Sequence, residues 1–387
     1  MAAQLRNAAA VGVAAYLLCL PATWGAAGGA EEAVRRAAGA NAVVFVVDAS
    51  DRVLIDVSGR KGFLPASTIK VFTALLALEQ LGPEYRFQTR FLLDGGELVV
   101  SGTGDPLLVS EEIDAIAAAL ARRLAGRTLR GIVVDDSYFA PGLRIPGVGR
   151  SSNPYDAPNS ATAVNFNTIG VLRRNGKIVS AEAQTPLTPH ALALAGTLRF
   201  QEGLRFQIGE DPADVQRYVG ELFAAKLRQA GVAVGQAVRG GKASADAVPL
   251  YVHANSRTLA ETCKSMLAAS NNFIANQVFL AAGAAAEGPP ASLAKSVRVG
   301  ERFIAAHPEL RGLKVVEGSG IAYENRATGP AMVGLLKRFM PYQHLLLERH
   351  GSPHKTGTLK AVATLTGYID SRRHGTCLLY TSPSPRD

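Results

Sequence analysis

Cysteine is scarce in this chain: three residues in 387, at positions 19, 263 and 377. Cys19 lies in an N-terminal apolar run and Cys377 in a Ser/Pro-rich tail. That leaves Cys263 as the one thiol of the body, and no intramolecular disulfide is expected there. Its neighbours Thr262 and Met266 continue a helical apolar pattern, which fits core packing better than a nucleophile. Long apolar runs are missing too. The longest, residues 8–20, is too short to span a bilayer as a helix. Nor is charge concentrated: 41 Lys and Arg against 32 Asp and Glu give +9, without a basic stripe interleaved with aromatics. That modest excess suits an acidic substrate or a polyanionic envelope and does not point to nucleic acid. No fixed repeat period appears, which argues against a solenoid.

What is present is a folded chain in several parts, with 48% hydrophobic and 19% charged residues. Residues 1–28 read as a secretory signal: Arg6, the apolar run, then small residues from Ala26 onward. Cys19 has no small residues just before it, which argues against a lipid anchor, so the mature chain is expected to be exported. The last eleven residues, CLLYTSPSPRD, read as translated sequencing-adapter sequence at 377–387.

Between these ends, residues 33–38 read as a short helix. NAVVFVVDASDRVLIDVSG has the form of a hairpin, and PASTIKVFTALLALEQLG that of a helix stopped at Gly82-Pro83. Residues 91–249 are rich in short strand-like runs broken by Gly, Pro and Asp, with helical patterns at 111–124 and 214–230, and read as inserted β-rich lobes. Helices return at 258–268, 273–282, 292–306 and 329–340 before the closing strand pair HKTGTLKAVATLTGYID. The outer segments 29–90 and 250–376 therefore read as one domain interrupted by the insert, an α/β (α+β) fold with its sheet built from both ends of the chain.

Ser67 and Lys70 stand three apart at the start of an otherwise apolar helix and so share a face. A serine hydroxyl needs a base, and a lysine becomes one when burial or a second cation lowers its pKa. S-x-x-K alone is a weak signal, since Ser58/Lys61, Ser292/Lys295 and Ser352/Lys355 match it too. Ser67 and Lys70 differ in their company. Ser270-Asn271-Asn272 breaks two apolar helical runs, and Lys355-Thr356-Gly357-Thr358 holds the one K-T-G of the chain. S-x-x-K, S-x-N and K-T-G in that order form a known triplet of serine acyl-transfer sites.

Each element has a physical job. Ser270 can relay a proton from Lys70 to a leaving amine, and Asn272 can bond a substrate peptide unit. Lys355 supplies positive charge, and Thr356 and Thr358 can bind a terminal carboxylate. Gly357 lets an extended peptide lie along the strand edge. The N–H groups of Ser67 and Thr358 would form an oxyanion hole. Competing matches to the second element are Ser151-x-Asn153 and Tyr323-x-Asn325. Separately, Ser270 could be a helix cap and Lys355 an edge-strand charge. His350 and His354 are four apart, but Gly351 and Pro353 between them argue against a helical metal pair.

With these residues in place, the chain resembles the class C low-molecular-mass penicillin-binding proteins, the D-alanyl-D-alanine carboxypeptidase/endopeptidase family. PASTIKVFTALLALEQLG, SGTGDPLL, VVDDSYF, NPYDAPNSATAVNFN and EGSGIAYENR all resemble segments of that family, with Leu107 where Thr is usual. The resemblance implies a serine β-lactamase/transpeptidase-like domain: an antiparallel sheet flanked by helices, plus an all-helical lobe. It also implies a periplasmic or secreted place in the cell envelope, no metal or cofactor, and hydrolysis of D-Ala–D-Ala in peptidoglycan stem peptides. β-Lactams would act as inhibitors acylating Ser67. Ser67, Lys70, Ser270, Asn272 and Lys355 take the catalytic positions and Thr356, Gly357 and Thr358 the substrate-binding ones, whereas Asp105, Asp156 and Asn165 read as scaffold. If residues 377–387 are adapter, a further strand and a covering helix are missing. The exposed edge then predicts poor expression or weak penicillin binding.

Two rivals are a serine β-lactamase and a catalytically silent wall-binding protein. No Leu-Asn pair exists for the deacylating E-x-x-L-N of class A lactamases. Tyr323-Glu324-Asn325 fits the Y-x-N of class C lactamases only formally.

Overall fold

The computed structural model describes residues 32, 34–36, 42–349, 351–360 and 362–382. The expected signal (1–28), parts of the expected helix at 33–38, His350 and residues 383–387 lie outside the described residues. In chain order the elements are β1 (Val43–Val47), β2 (Val53–Val57), α1 (Lys70–Leu81), β3 (Gln88–Asp94), β4 (Glu97–Gly102), α2 (Ser110–Leu124), β5 (Leu129–Asp135), β6 (Thr168–Arg174), β7 (Lys177–Ser180), α3 (Pro189–Thr197), β8 (Gly203–Gln207) and α4 (Pro212–Gln229). They continue with β9 (Val234–Gly240), β10 (Val248–Ala254), α5 (Leu259–Ala269), α6 (Asn272–Glu287), α7 (Leu293–Ala306), α8 (Gly329–Phe339), β11 (Leu347–Arg349), β12 (Ser352–Leu359), β13 (Val362–Ser371) and β14 (Gly375–Ser382). The chain divides into two compact units. The first comprises residues up to 80, 263–275 and 296 onward; the second comprises 81–262 and 276–295.

The first unit is built on a six-stranded sheet in the order β11-β12-β13-β14-β1-β2, with every pairing antiparallel. The expected hairpin is β1–β2. β1 reads VVFVV and is buried along its whole length because strands flank it on both sides. α8 packs on β1, β13 and β14, and the Tyr368 hydroxyl donates to the Leu336 carbonyl at 2.6 Å. α1 is apolar on all faces, and its residues from Lys70 to Leu78 are buried. A helix apolar all round belongs inside a protein, and it takes the lysine at its first position in with it.

In this sheet Gly375–Ser382 lies between β13 and β1, with Thr381 opposite Leu365 and also opposite Val44. Residues 377–382, the start of the stretch read as adapter, are buried there. Their β-branched and apolar side chains suit a strand paired on both sides, and among the described residues β2 and β11 are the outer strands.

The second unit holds a five-stranded mixed sheet, β10-β3-β4-β5-β9, and a three-stranded antiparallel sheet, β7-β6-β8. β4, β5 and β9 run parallel, which requires crossovers, and α2 and α4 lie on those connections. α2 buries Ile113, Ile116, Ala117, Leu120 and Leu124, one helical stripe, and carries Glu111 and Glu112 in its first turn and Arg122 and Arg123 in its last. The residues read as scaffold are buried here. Asp105 accepts from Leu107 N–H and Asn255, Asp156 from Gly149 N–H and Ser151, and Asn165 from Ser110 N–H.

Candidate active site

Ser67 sits in a 3-10 turn, Ala66–Ile69, that leads into α1. The turn is pinned at Pro65, whose carbonyl accepts from Thr68 Oγ1 at 2.6 Å and from Thr364 Oγ1 of β13 at 2.8 Å. Ala66 has φ +48°, a left-handed conformation that costs a non-glycine residue about 1 kcal/mol or more. The strained residue therefore stands directly before the serine.

Lys70 opens α1 and is fully buried, at 0% exposure. Its Nζ lies 2.9 Å from Ser67 Oγ and donates to Asn272 Oδ1 (2.8 Å) and the Ser319 carbonyl (2.6 Å). None of these three partners is charged. Burial is the main force pushing the Lys70 amine well below the ordinary lysine range; the positive Lys355 adds to it, and Glu317 opposes it.

Ser270 and Asn272 come from the break between α5 and α6. Ser270 has φ +53°. The helix-capping role falls to Asn271, whose Oδ1 accepts from Ile274 N–H at 3.0 Å. That frees both flanking side chains for the site. Asn272 turns to Lys70, and Ser270 Oγ accepts from Lys355 Nζ at 2.8 Å. Ser270 is thus joined to the second lysine rather than to the first. Lys355, on β12, is 3% exposed and is pushed down to about 8 by burial.

β12 alternates: Lys355 and Gly357 are buried, whereas Thr356 and Thr358 are exposed. β11 pairs only with residues 352–354, so no second strand among the described residues covers the edge of 355–359. Gly357 answers to a further constraint. A Cβ there would lie 2.4 Å from Thr364 Oγ1 and 2.7 Å from Ser67 N. The glycine is needed where β12 crosses the serine turn.

The structure therefore brings Ser67, Lys70, Ser270, Asn272, Lys355 and Gly357 into contact within the first unit, with Thr356 and Thr358 on the same strand. The competing matches go elsewhere. Ser292 Oγ accepts from Lys295 N–H while Lys295 Nζ bonds the Gly288 and Pro290 carbonyls. Ser151 bonds Asp156, Asn325 is buried on Glu317, and Tyr323 is 49% exposed. His354 bonds the Ser352 carbonyl. Sequence reasoning missed Ser319, which acts through its carbonyl and so leaves no side-chain signature; the available signal was the turn-rich string EGSGIA ahead of Tyr323.

The chain is similar in sequence and fold to known proteins. The chain is 28% identical over 349 residues to a D-alanyl-D-alanine carboxypeptidase of Actinomadura, a match covering 77% of this chain and 64% of that enzyme. It is 24% identical over 397 residues to the D-alanyl-D-alanine carboxypeptidase DacB of Haemophilus influenzae, covering 84% and 81%. The crystal structure of penicillin binding protein 4 (dacB) from Haemophilus influenzae shares the fold, with TM-score 0.70, 21% identity and coverage of 90% of this chain and 91% of that one. Its complex with a β-lactam superposes with TM-score 0.67 over 90% of each chain, at 21% identity. The family model described as D-Ala-D-Ala carboxypeptidase 3 (S13) matches residues 30–190 and 179–346. The chain belongs to the D-Ala-D-Ala carboxypeptidase 3 (S13) family.

Proposed function

We propose that this protein is a serine D-Ala–D-Ala carboxypeptidase and DD-endopeptidase that acts on peptidoglycan stem peptides through an acyl-enzyme on Ser67. The observation that carries this is Lys70: a buried amine without a carboxylate partner, 2.9 Å from a serine hydroxyl on a strained turn. Neutral Lys70 accepts the Ser67 proton as Oγ attacks the carbonyl carbon of the penultimate D-Ala. The N–H groups of Ser67 and Thr358 receive the oxyanion. Lys355 Nζ donates to Ser270 Oγ, so the Ser270 proton is free to pass to the leaving amine; the proton that Lys70 took from Ser67 then replaces it on Ser270 and restores the neutral base. The carbon–nitrogen bond then breaks, D-Ala departs, and water hydrolyses the ester on Ser67. Before the attack, Lys355 with the Thr356 and Thr358 hydroxyls holds the terminal carboxylate, and the open edge of β12 takes the substrate backbone as an added strand. β-Lactams acylate the same oxygen and act as inhibitors. The protein acts in this reading in the cell envelope, in the periplasm or secreted; a peptidoglycan substrate and the signal read at residues 1–28 support it.

Purified muropeptides incubated with the protein and separated by mass test this directly. Loss of one terminal D-Ala, or cleavage of crosslinked dimers, is expected, and Ser67→Ala should lower both by at least about 10³-fold. A penicilloyl adduct lasting minutes separates this activity from a β-lactamase, which would turn the adduct over rapidly. Unchanged product release by Ser67→Ala would refute the assignment.

A further inference from the structure

Glu317 is a buried carboxylate, 0% exposed, that none of the steps above uses. Its Oε2 accepts from the N–H and the hydroxyl of Ser319, both at 2.7 Å. Its Oε1 accepts from Gly320 N–H (2.6 Å), Asn325 Nδ2 (2.8 Å) and Ala322 N–H (3.3 Å). One side chain thus gathers the donors of a short loop and turns its carbonyls outward. Two of them meet α1: Gly318 accepts from Thr73 Oγ1 and Ser319 from Lys70 Nζ, each at 2.6 Å. Gly320, at φ +83°, lies where a Cβ would come within 2.0 Å of the Ala66 carbonyl, so the loop also abuts the residue before the serine.

Hydrogen counting gives this arrangement a purpose. A neutral lysine amine has two N–H donors and one lone pair. Of the three groups around Lys70 Nζ, the Asn272 Oδ1 and the Ser319 carbonyl accept only, whereas the Ser67 hydroxyl can donate. With both donors committed, the lone pair is left for the Ser67 proton. We propose that Glu317 is a positioning residue: by holding the Ser319 carbonyl against Lys70, it aims the base at the nucleophile. This rests on Ser67 being the acylated group.

The electrostatics sharpen the point. The charged groups facing Lys70 are Lys355, from β12, and Glu317, from the loop. Lys355 favours the neutral amine and Glu317 the ammonium, so the carboxylate works against the base it positions. Charge tuning alone would not put it there; geometry does.

The experiment is acylation by a fluorescent penicillin, followed against pH on the full chain. Glu317→Gln should lower the first-order acylation constant at its plateau at least tenfold, with the non-covalent dissociation constant changing less than about twofold. Its acid limb should move to lower pH, because the ammonium has lost its favourable neighbour. Glu317→Asp keeps the charge and should keep the wild-type limb. A purely structural defect reduces the reactive fraction and leaves the limb in place, so a fall without the shift overturns the inference, as does a plateau within twofold of wild type. If Glu317→Gln does not fold by thermal melting, Ser319→Ala retains the carboxylate and deletes one donor. It should slow acylation several-fold with the limb fixed, and wild-type kinetics would overturn the inference. No labelling of the wild-type chain, or labelling that survives Ser67→Ala, removes the nucleophile assignment and the inference with it.

Discussion

Each of the two units buries a lysine, and the two lysines are treated in opposite ways. In the second unit Lys226 is 3% exposed, and its Nζ lies 2.6 Å from Asp114 Oδ1 and 2.5 Å from the Gln184 carbonyl. His253 likewise meets Glu112 at 2.6 Å. Lys226 is matched by opposite charge, as a buried ion in a scaffold generally is. In the first unit Lys70 is buried among neutral acceptors, and the cation nearest in its electrostatics is Lys355. An unmatched buried amine is held neutral, and a neutral amine beside a hydroxyl is a base. The pairing therefore separates a structural lysine from a reactive one more sharply than burial does.

Removing each amine in turn gives the largest expected effect and can break this contrast. Lys70→Met should lower penicillin acylation by at least about 10³-fold. Its stability should shift little, because losing a desolvated amine offsets leaving Asn272 and Ser319 acceptors unmet. Lys226→Met should leave acylation per folded molecule unchanged and destabilise by at most about 1 kcal/mol, because its partner Asp114 is half exposed and water replaces the lost donor. Thermal melts and acylation rates on both variants check this. Equal loss of activity in the two would end the distinction.

Next in size is Gly357→Ala. The new methyl would overlap Thr364 Oγ1 and the Ser67 amide, displacing the serine turn, and a shift of about 1 Å can lower a rate about 10²-fold. Overpacking should destabilise by about 1–3 kcal/mol. Gly196→Ala, in α3 at a glycine with no atoms near its Cβ position and no left-handed backbone, is the control for a general glycine effect. Comparable acylation in the two alanine variants would show that β12 does not press on the nucleophile.

Much of this was legible in the residues. The hairpin, the apolar helix behind Ser67, the helices from 258 onward and the K-T-G strand pair follow from period and punctuation, because in each the local pattern agrees with the tertiary environment. Two features were not. Ser319 contributes a backbone carbonyl, and no residue type encodes where a carbonyl will point. The contact of Gly357 with the serine turn is the other, because alternation along one strand does not say which neighbouring element crosses it. Residues 377–382, read as the start of adapter sequence, carry β-branched and apolar side chains that suit the strand they form here, paired on both sides.

A smaller effect comes from Lys355. Burial lowers it to about 8, so its ammonium is lost at lower pH than that of an ordinary lysine. A substrate held through a terminal carboxylate should lose affinity as pH rises through about 8, about tenfold per unit above it, whereas one amidated at that carboxylate should not. On the acid side the rate should rise as Lys70 loses its proton, below the ordinary lysine range. Measuring kcat/KM for D-Ala release from free and amidated peptides separates the limbs. An alkaline limb common to both substrates would mean that Lys355 does not bind the carboxylate.

The smallest expected effect concerns Cys263, which is buried in the first unit as Lys70 is and yet should do nothing. Burial lowers a lysine and raises a thiol, because it disfavours whichever form is charged. The Cys263 thiol is pushed up to about 12, with no cation among the causes. The thiolate is the reactive form, so iodoacetamide at pH 8 should leave Cys263 unmodified until the protein is unfolded, and acylation of Ser67 should be untouched. Cys263→Ala should destabilise by about 1 kcal/mol, the loss of one small buried group. Rapid alkylation of the folded protein with loss of penicillin labelling would mean that desolvation alone does not sort the buried groups of this unit into reactive and inert, and that the company Lys70 keeps matters more than its depth.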